Sequence, residues 1–285
     1  MHRSPTRISR RYRLRLAGTA AAAVSVLCGS ASAEGRLDAH YVATLAGIQI
    51  GMGTWTIDIG DDQFSAAATG MTAGLLRVFT TGEGSSTSRG TSRGDSLSPT
   101  LFVSTIHNDK QVEELKLVMN AGNVKDMSVD PPTVPHPNRV PLTEAHRRSI
   151  VDPMSAALIR VQGTDDPVGP EACRRTLPVF DGRMRFDLQL TFNRFEQVQA
   201  QKGYQGQVAV CRVRFAPVAG HVPDRPAIKY LAAAQDIEMW LAPIAGTRVV
   251  VPFKVSIPTP LGRGVLEATQ FVATPGRPGA ATAAR

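Results

Sequence analysis

The chain has 285 residues, with 32 Lys and Arg against 24 Asp and Glu and a formal charge of +8. Arg3, Arg7, Arg10, Arg11, Arg13 and Arg15 account for six of those basic residues, and beyond residue 33 the balance is 26 against 24. The basic surplus therefore belongs to the N-terminal segment, which removes the main electrostatic support for a nucleic-acid partner.

The first segment has the form of an export signal. The arginines make a positive region without acidic residues, an apolar run follows from Leu16 to Leu27, and Ala31-Ser32-Ala33 has the small-x-small pattern of a cleavage site. A spanning helix needs roughly 20 apolar residues, so this run is too short to be a retained anchor. The expected cut lies between Ala33 and Glu34, with residues 1–33 removed and the mature chain in the periplasm. Ser9-Arg10-Arg11 resembles a twin-arginine motif, but Arg13 stands where that motif prefers an aromatic, so Sec and Tat export both stay open. Cys28 follows Leu27, which argues against a lipidation site.

The rest reads as an antiparallel β protein with no long apolar run, and no stable transmembrane segment is expected after processing. HYVATL and IQIGMGTWTIDI flank Ala46-Gly47 as a first hairpin, and QFSAAATGM follows the turn at Gly60. TAGLLRVF predicts a short amphipathic helix with Leu75, Leu76 and Phe79 on one side. Residues 80–99 are Gly/Ser-rich, either a mobile loop or a solvent-facing strand. LFVSTIHN and VEELKLVMN form a hairpin, VKDMSV adds a strand, and DPPTVPHPNRVP is an extended connection.

A central helical segment is predicted over residues 152–161. Asp152-Pro153 supplies the N-cap and first helical position, and Met154, Ala157, Leu158 and Val161 recur at the spacing of one helix face. This segment is expected to pack on the concave face of the sheet, with Met154, Leu158 and Val161 lining a possible ligand cavity. Strands then return: RTLPVF, RMRFDLQLTF with Asp181-Gly182 at the hairpin tip, GQVAVCRVRF, IEMWLAP, RVVVPFKVSI and RGVLEATQF. A short helix around RPAIKYLAAAQ interrupts them, and residues 275–285 are expected to be a disordered tail. The fold class is mainly β: a long antiparallel curled sheet, half-barrel or spiral, over residues 34–274, with two packed sheets as the competing arrangement.

Two cysteines remain after processing, Cys173 and Cys211. In an oxidising compartment they are expected to form a disulfide, because neither has the C-x-x-C spacing or the His pair of a zinc site. Hydrolase and phosphate-loop signatures are absent. His107 with Asp109 and His221 with Asp224 fall at turns, where a solvated side chain is the default. No cofactor, metal or catalytic residue is expected.

PLTEAHRRSIVDPMSAAL, PVFDGRMRFDL, CRVRFAPVAGH, IEMWLAP and VPFKVSIPTPLGRGVLEATQF resemble the alphaproteobacterial form of the domain of unknown function 3108 family. The resemblance spans nearly the whole mature chain and implies an exported β-rich protein of unestablished role. It also implies a general plan similar to periplasmic curled-sheet proteins, including lipoprotein carriers with an apolar concave face, a comparison of fold alone. The expectation is a non-enzymatic envelope protein that binds an apolar or amphipathic ligand: a lipid, acyl chain or peptide. The alternatives are an envelope hydrolase with scattered His and carboxylates, and a structural partner of an envelope complex.

Overall fold

The computed structural model describes residues 35–74, 82–94, 96–109 and 111–276. The cleavage site at Ala33 and Glu34 lies outside them, as do Leu75, Leu76 and Phe79 of the helix expected at 72–79 and most of the tail.

The N-terminal half is an antiparallel meander. It comprises β1 (Gly35–Leu45), β2 (Ile48–Ile59), β3 (Gln63–Thr72), β4 (Gly82–Arg93), β5 (Ser96–Asn108), β6 (Val112–Asn120) and β7 (Asn123–Asp130). Alternation drives it. In β1, Leu37, Ala39 and Tyr41 are buried while Arg36 and His40 face outward. The Ser-rich stretch that sequence left open is a strand, β4, paired with β3 on one side and β5 on the other. Its small side chains pair across the sheet, Ser86 Oγ donating to Ser104 Oγ at 2.9 Å. Two flanking ladders supply what β-propensity does not.

After the proline-rich connection and one 3₁₀ turn (Glu144–Arg147) the chain enters a single helical turn, α1 (Pro153–Ala156). The predicted ten-residue helix is therefore shorter than expected. Ala157 caps it, and Ile159–Arg160 form a short strand, β8, against Val249–Val250. The β-branched Ile159 gains ladder hydrogen bonds and burial there, which outweighs continuing the helix.

The second half contains β9 (Arg175–Phe180), β10 (Arg185–Gln199), β11 (Lys202–Gly203), β12 (Gln205–Ala219), α2 (Pro226–Ala233), β13 (Ile237–Pro243), β14 (Val249–Thr259) and β15 (Gly262–Pro275). Among the described residues all 15 strands belong to one sheet, ordered β7-β6-β5-β4-β3-β2-β1-β15-β14-β13-β12-β10-β9, with β8 and β11 branching from β14 and β15. Pairing is antiparallel except for β11 with β15. The first and last strands meet through β1 and β15, so the sheet closes in sequence but not into a barrel.

Its two free edges, β7 and β9, are instead brought near one another by side chains and one loop. Ile150 N–H donates to Gly122 O at 2.8 Å, and Val151 N–H to Pro178 O at 2.9 Å, so residues 150–151 bridge the β6–β7 turn to β9. At the β9–β10 tip, Asp181 Oδ1 accepts the N–H groups of Arg183 (2.8 Å) and Met184 (2.6 Å). Gly182 has φ +83° there, and a Cβ would collide with Leu115 of β6. Arg183 reaches across to Thr133 Oγ1, Pro131 O and Glu113 at 3.3, 3.1 and 3.4 Å.

Strands β12 and β13 are buried on both faces and separate two apolar clusters. Val208, Val210, Trp240 and Ala242 join one, with Leu37, Ile57, Phe253 and Phe271. Ala209, Cys211, Met239 and Leu241 join the other, with Ile159, Val161, Ala172 and Cys173.

Candidate ligand cavity

α1 sits inside the curl. It packs against β4, β5 and β9, strands from opposite ends of the sheet order. Its position is fixed by polar groups in an apolar setting. Asp152 is fully buried and its Oδ1 accepts the N–H groups of Met154 (3.0 Å) and Ser155 (2.9 Å), satisfying two otherwise orphaned donors. Ser88 of β4 bonds Asp152 Oδ2 at 3.1 Å and Ser155 Oγ at 2.8 Å, pinning the turn to the sheet. Burial pushes the Asp152 carboxyl above its ordinary value, and hydrogen bonds from Ser155, Ser88 and Met154 pull it back in part.

Beside this turn the two apolar clusters meet at a cavity of about 550 Å³. Pro153, Ala156 and Ala157 form one wall. Tyr41 and Ala43 of β1, Trp55 of β2 and Ala68 and Gly70 of β3 form a second, and Leu177, Leu188, Met239, Val255 and Leu266 close it from the far half of the sheet. The space exists because the strands facing it carry small residues. Gly53 pairs with Gly70 and Trp55 with Ala68, and a Cβ on Gly53 would collide with the Thr69 carbonyl. Around the opening Met52, Met71 and Leu266 are 46%, 49% and 41% exposed.

No lining residue is charged. Tyr41, pushed up in pKa by burial, donates its hydroxyl to Pro252 O at 2.7 Å and tilts against the Trp55 ring at 6.5 Å. It thereby ties β1 to β14 across the cavity wall. A volume in the 300–1,000 Å³ class with apolar walls is the usual form of a small-molecule pocket.

Of the residues expected to line the cavity, Met154, Leu158 and Val161 are all buried, but they belong to the packed clusters, and the same segment presents Pro153, Ala156 and Ala157 to the space instead. The expected stripe is the anchored side of the turn. Sequence reasoning missed Tyr41 and Trp55 as lining residues, having placed both in strands only. The glycine-marked β2 and alanine-rich β3 were the available signal.

Cys173 and Cys211 form a disulfide with Cα atoms 5.3 Å apart. It staples the segment ahead of β9 to the middle of β12. Among the described residues the histidines do not converge, and His221, expected to be solvated at its turn, is buried instead. His40 stands 3.7 Å from Asp38 on an exposed surface, His146 Nδ1 accepts from Thr143 N–H at 3.1 Å, and His107 borders a separate, shallower groove of about 450 Å³. Among the described residues, no group of three or more His, Cys, Asp or Glu could hold a metal, and no helix is long and apolar enough to cross a membrane.

The model of the family described as protein of unknown function (DUF3108) matches residues 38–269. No curated protein matches the chain. Among solved structures, it is similar to a beta-barrel-like protein of domain of unknown function DUF1849 from Brucella abortus. The identity is 8%, the TM-score 0.46, and the match covers 85% of this chain and 98% of that one.

Proposed function

The chain belongs to the family of unknown function DUF3108, and from that premise we propose that it is a non-enzymatic periplasmic protein that binds an apolar or amphipathic ligand, a lipid, acyl chain or peptide, in service of the cell envelope. The observation that carries this reading is the uncharged cavity of about 550 Å³ beside α1, rimmed by exposed Met52, Met71 and Leu266. Unbranched, polarisable methionine side chains adapt to varied apolar partners. The export signal supports the periplasmic address.

Protein recovered from the periplasm should begin at Glu34. Denaturing extraction followed by mass spectrometry should yield an apolar molecule in near one-to-one ratio, and the emptied protein should bind the neutral dye Nile red saturably. Absence of both the extracted molecule and saturable dye binding would refute the proposal.

A further inference from the structure

The groove of about 450 Å³ that His107 borders adjoins the cavity, and Ala68, Thr69, Gly70 and Met71 line both. The two volumes lie on one face of the sheet. Ser88 bonds α1 inside the curl, so alternation along β4 puts Ser86, Gly84 and Gly82 on that inner face as well. Pairing sets Gly53 opposite Gly70, Gly70 opposite Gly84 and Gly84 opposite Ile106. Three neighbouring strands thus carry no side chain along one line between cavity and groove. Outside its chain neighbours, a Cβ on Gly70 would meet no atom closer than 3.9 Å, so no side chain of β3 divides them there. The linings differ in kind. Against the uncharged, mostly apolar cavity, the groove offers hydroxyl groups. Ser86 Oγ donates to Ser104 Oγ at 2.9 Å, which leaves the Ser104 proton and lone pairs on both oxygens for a further partner. Glu83 and His107 are the titratable residues of the groove lining, which contains neither Lys nor Arg. An anionic headgroup would meet a carboxylate there without a guanidinium or ammonium to replace its hydration, whereas uncharged hydroxyls would find both donors and acceptors.

Resting on the reading of this cavity as a ligand site, we propose that cavity and groove form one bipartite site for amphiphiles with an uncharged polyhydroxyl headgroup, the glycolipid class. The aliphatic chain fills the apolar cavity, the linkage crosses the glycine line, and the headgroup lies over β4 and β5 against Ser86 and Ser104. The groove, rather than the cavity, then sets headgroup specificity.

The test ranks three probes that share one alkyl chain length by displacement of Nile red from the full mature protein, each below its critical micelle concentration: dodecyl glucoside, 1-dodecanol, and laurate at a pH where it is fully ionised. The glucoside is expected to bind about tenfold more tightly than either of the others. Replacing both hydroxyl partners, Ser86→Ala with Ser104→Ala, leaves neither unpaired and should weaken the glucoside by about three- to tenfold while dodecanol is unchanged. Ile106 is 48% exposed, lines the groove and is absent from the cavity lining. Ile106→Arg should therefore tighten laurate by about threefold or more without altering dodecanol. A glucoside that binds no better than dodecanol, or laurate that matches the glucoside, overturns the inference while leaving the cavity reading intact. So does a serine-variant loss shared equally by dodecanol. Failure of all three probes to displace the dye overturns both. Should the serine variant not fold, the ranking on the unaltered protein and the Ile106→Arg result decide.

Discussion

Reducing the Cys173–Cys211 bond is the perturbation whose size follows most directly from the structure. The bond closes a loop with a sequence separation of 38. On the chain-entropy model a loop of that length restricts the unfolded ensemble by about 4 kcal/mol at 25 °C. Because ~1 kcal/mol moves the midpoint of a domain this size by about 2–4 °C, the loss should lower Tm by roughly 8–16 °C. The two cysteines are fully buried in the cluster that holds Ile159, Val161 and Ala172, so the same cut frees the segment that covers this face of β12 and β13. Differential scanning fluorimetry with and without a thiol reductant such as dithiothreitol measures the shift. The Cys173→Ala/Cys211→Ala variant should melt low in both conditions and supplies the control. Denaturation in reductant must precede the scan, since both sulfurs are shielded from solvent. A shift under about 3 °C after verified reduction would show that the bridge is not a main constraint on unfolding, and would refute the loop-entropy account.

Leu158 is 5% exposed within the larger cluster, so Leu158→Ala should cost about 2–5 kcal/mol, read as a lower denaturant midpoint at unchanged slope; an unchanged midpoint would contradict its buried placement. Asp152 has a carboxyl pKa raised in the folded state, so folding binds its proton more tightly than the unfolded chain does. Its contribution is therefore most favourable below the ordinary carboxylate range and is lost as pH rises through the folded value. Asp152→Asn, which keeps an oxygen acceptor for the cap, should remove that component, so the Tm of the unaltered protein relative to the variant should fall as pH rises across this window. A difference that is flat or rises with pH contradicts the assignment.

The strands were legible where one face is wet and the other dry, as in β1, and where a turn residue is obligatory, as at Asp181-Gly182. The Cys173–Cys211 disulfide was legible from the cysteine count and spacing together with the expectation of export. Two features were not, for physical reasons. Residues 154–161 are buried on nearly every side, so apolar positions appear at helical spacing and at strand spacing alike. Only the partner strand at Val249–Val250 decides between them, and it lies some ninety residues away in sequence. The cavity was hidden for a related reason. Its walls join Tyr41 and Trp55 to Pro252 and Leu188, and a void is defined by what opposes a residue, which local pattern does not encode.

The cavity also sets a sign that separates a built binding site from a packing gap left by chance. Ala157 caps α1 in a right-handed helical conformation with φ −85° and ψ −7°, which any larger aliphatic residue adopts without strain. It faces the open volume, so Ala157→Leu places three more carbons into existing space. If the space is held open by its walls, the added side chain buries apolar surface at little cost, and stability should rise by about 1 kcal/mol. Nile red affinity should fall at the same time by about tenfold, because dye and side chain compete for one volume. If the walls instead relax inward in solution, the same substitution overpacks the site and should destabilise by about 1–3 kcal/mol. Equilibrium unfolding and dye titration on the same preparation distinguish these outcomes. A gain in stability paired with a loss of binding is the trade expected where small residues such as Ala68, Gly70 and Ala157 hold space for a ligand at the expense of packing. Destabilisation with unaltered dye binding would place the dye elsewhere and sink the assignment of this cavity.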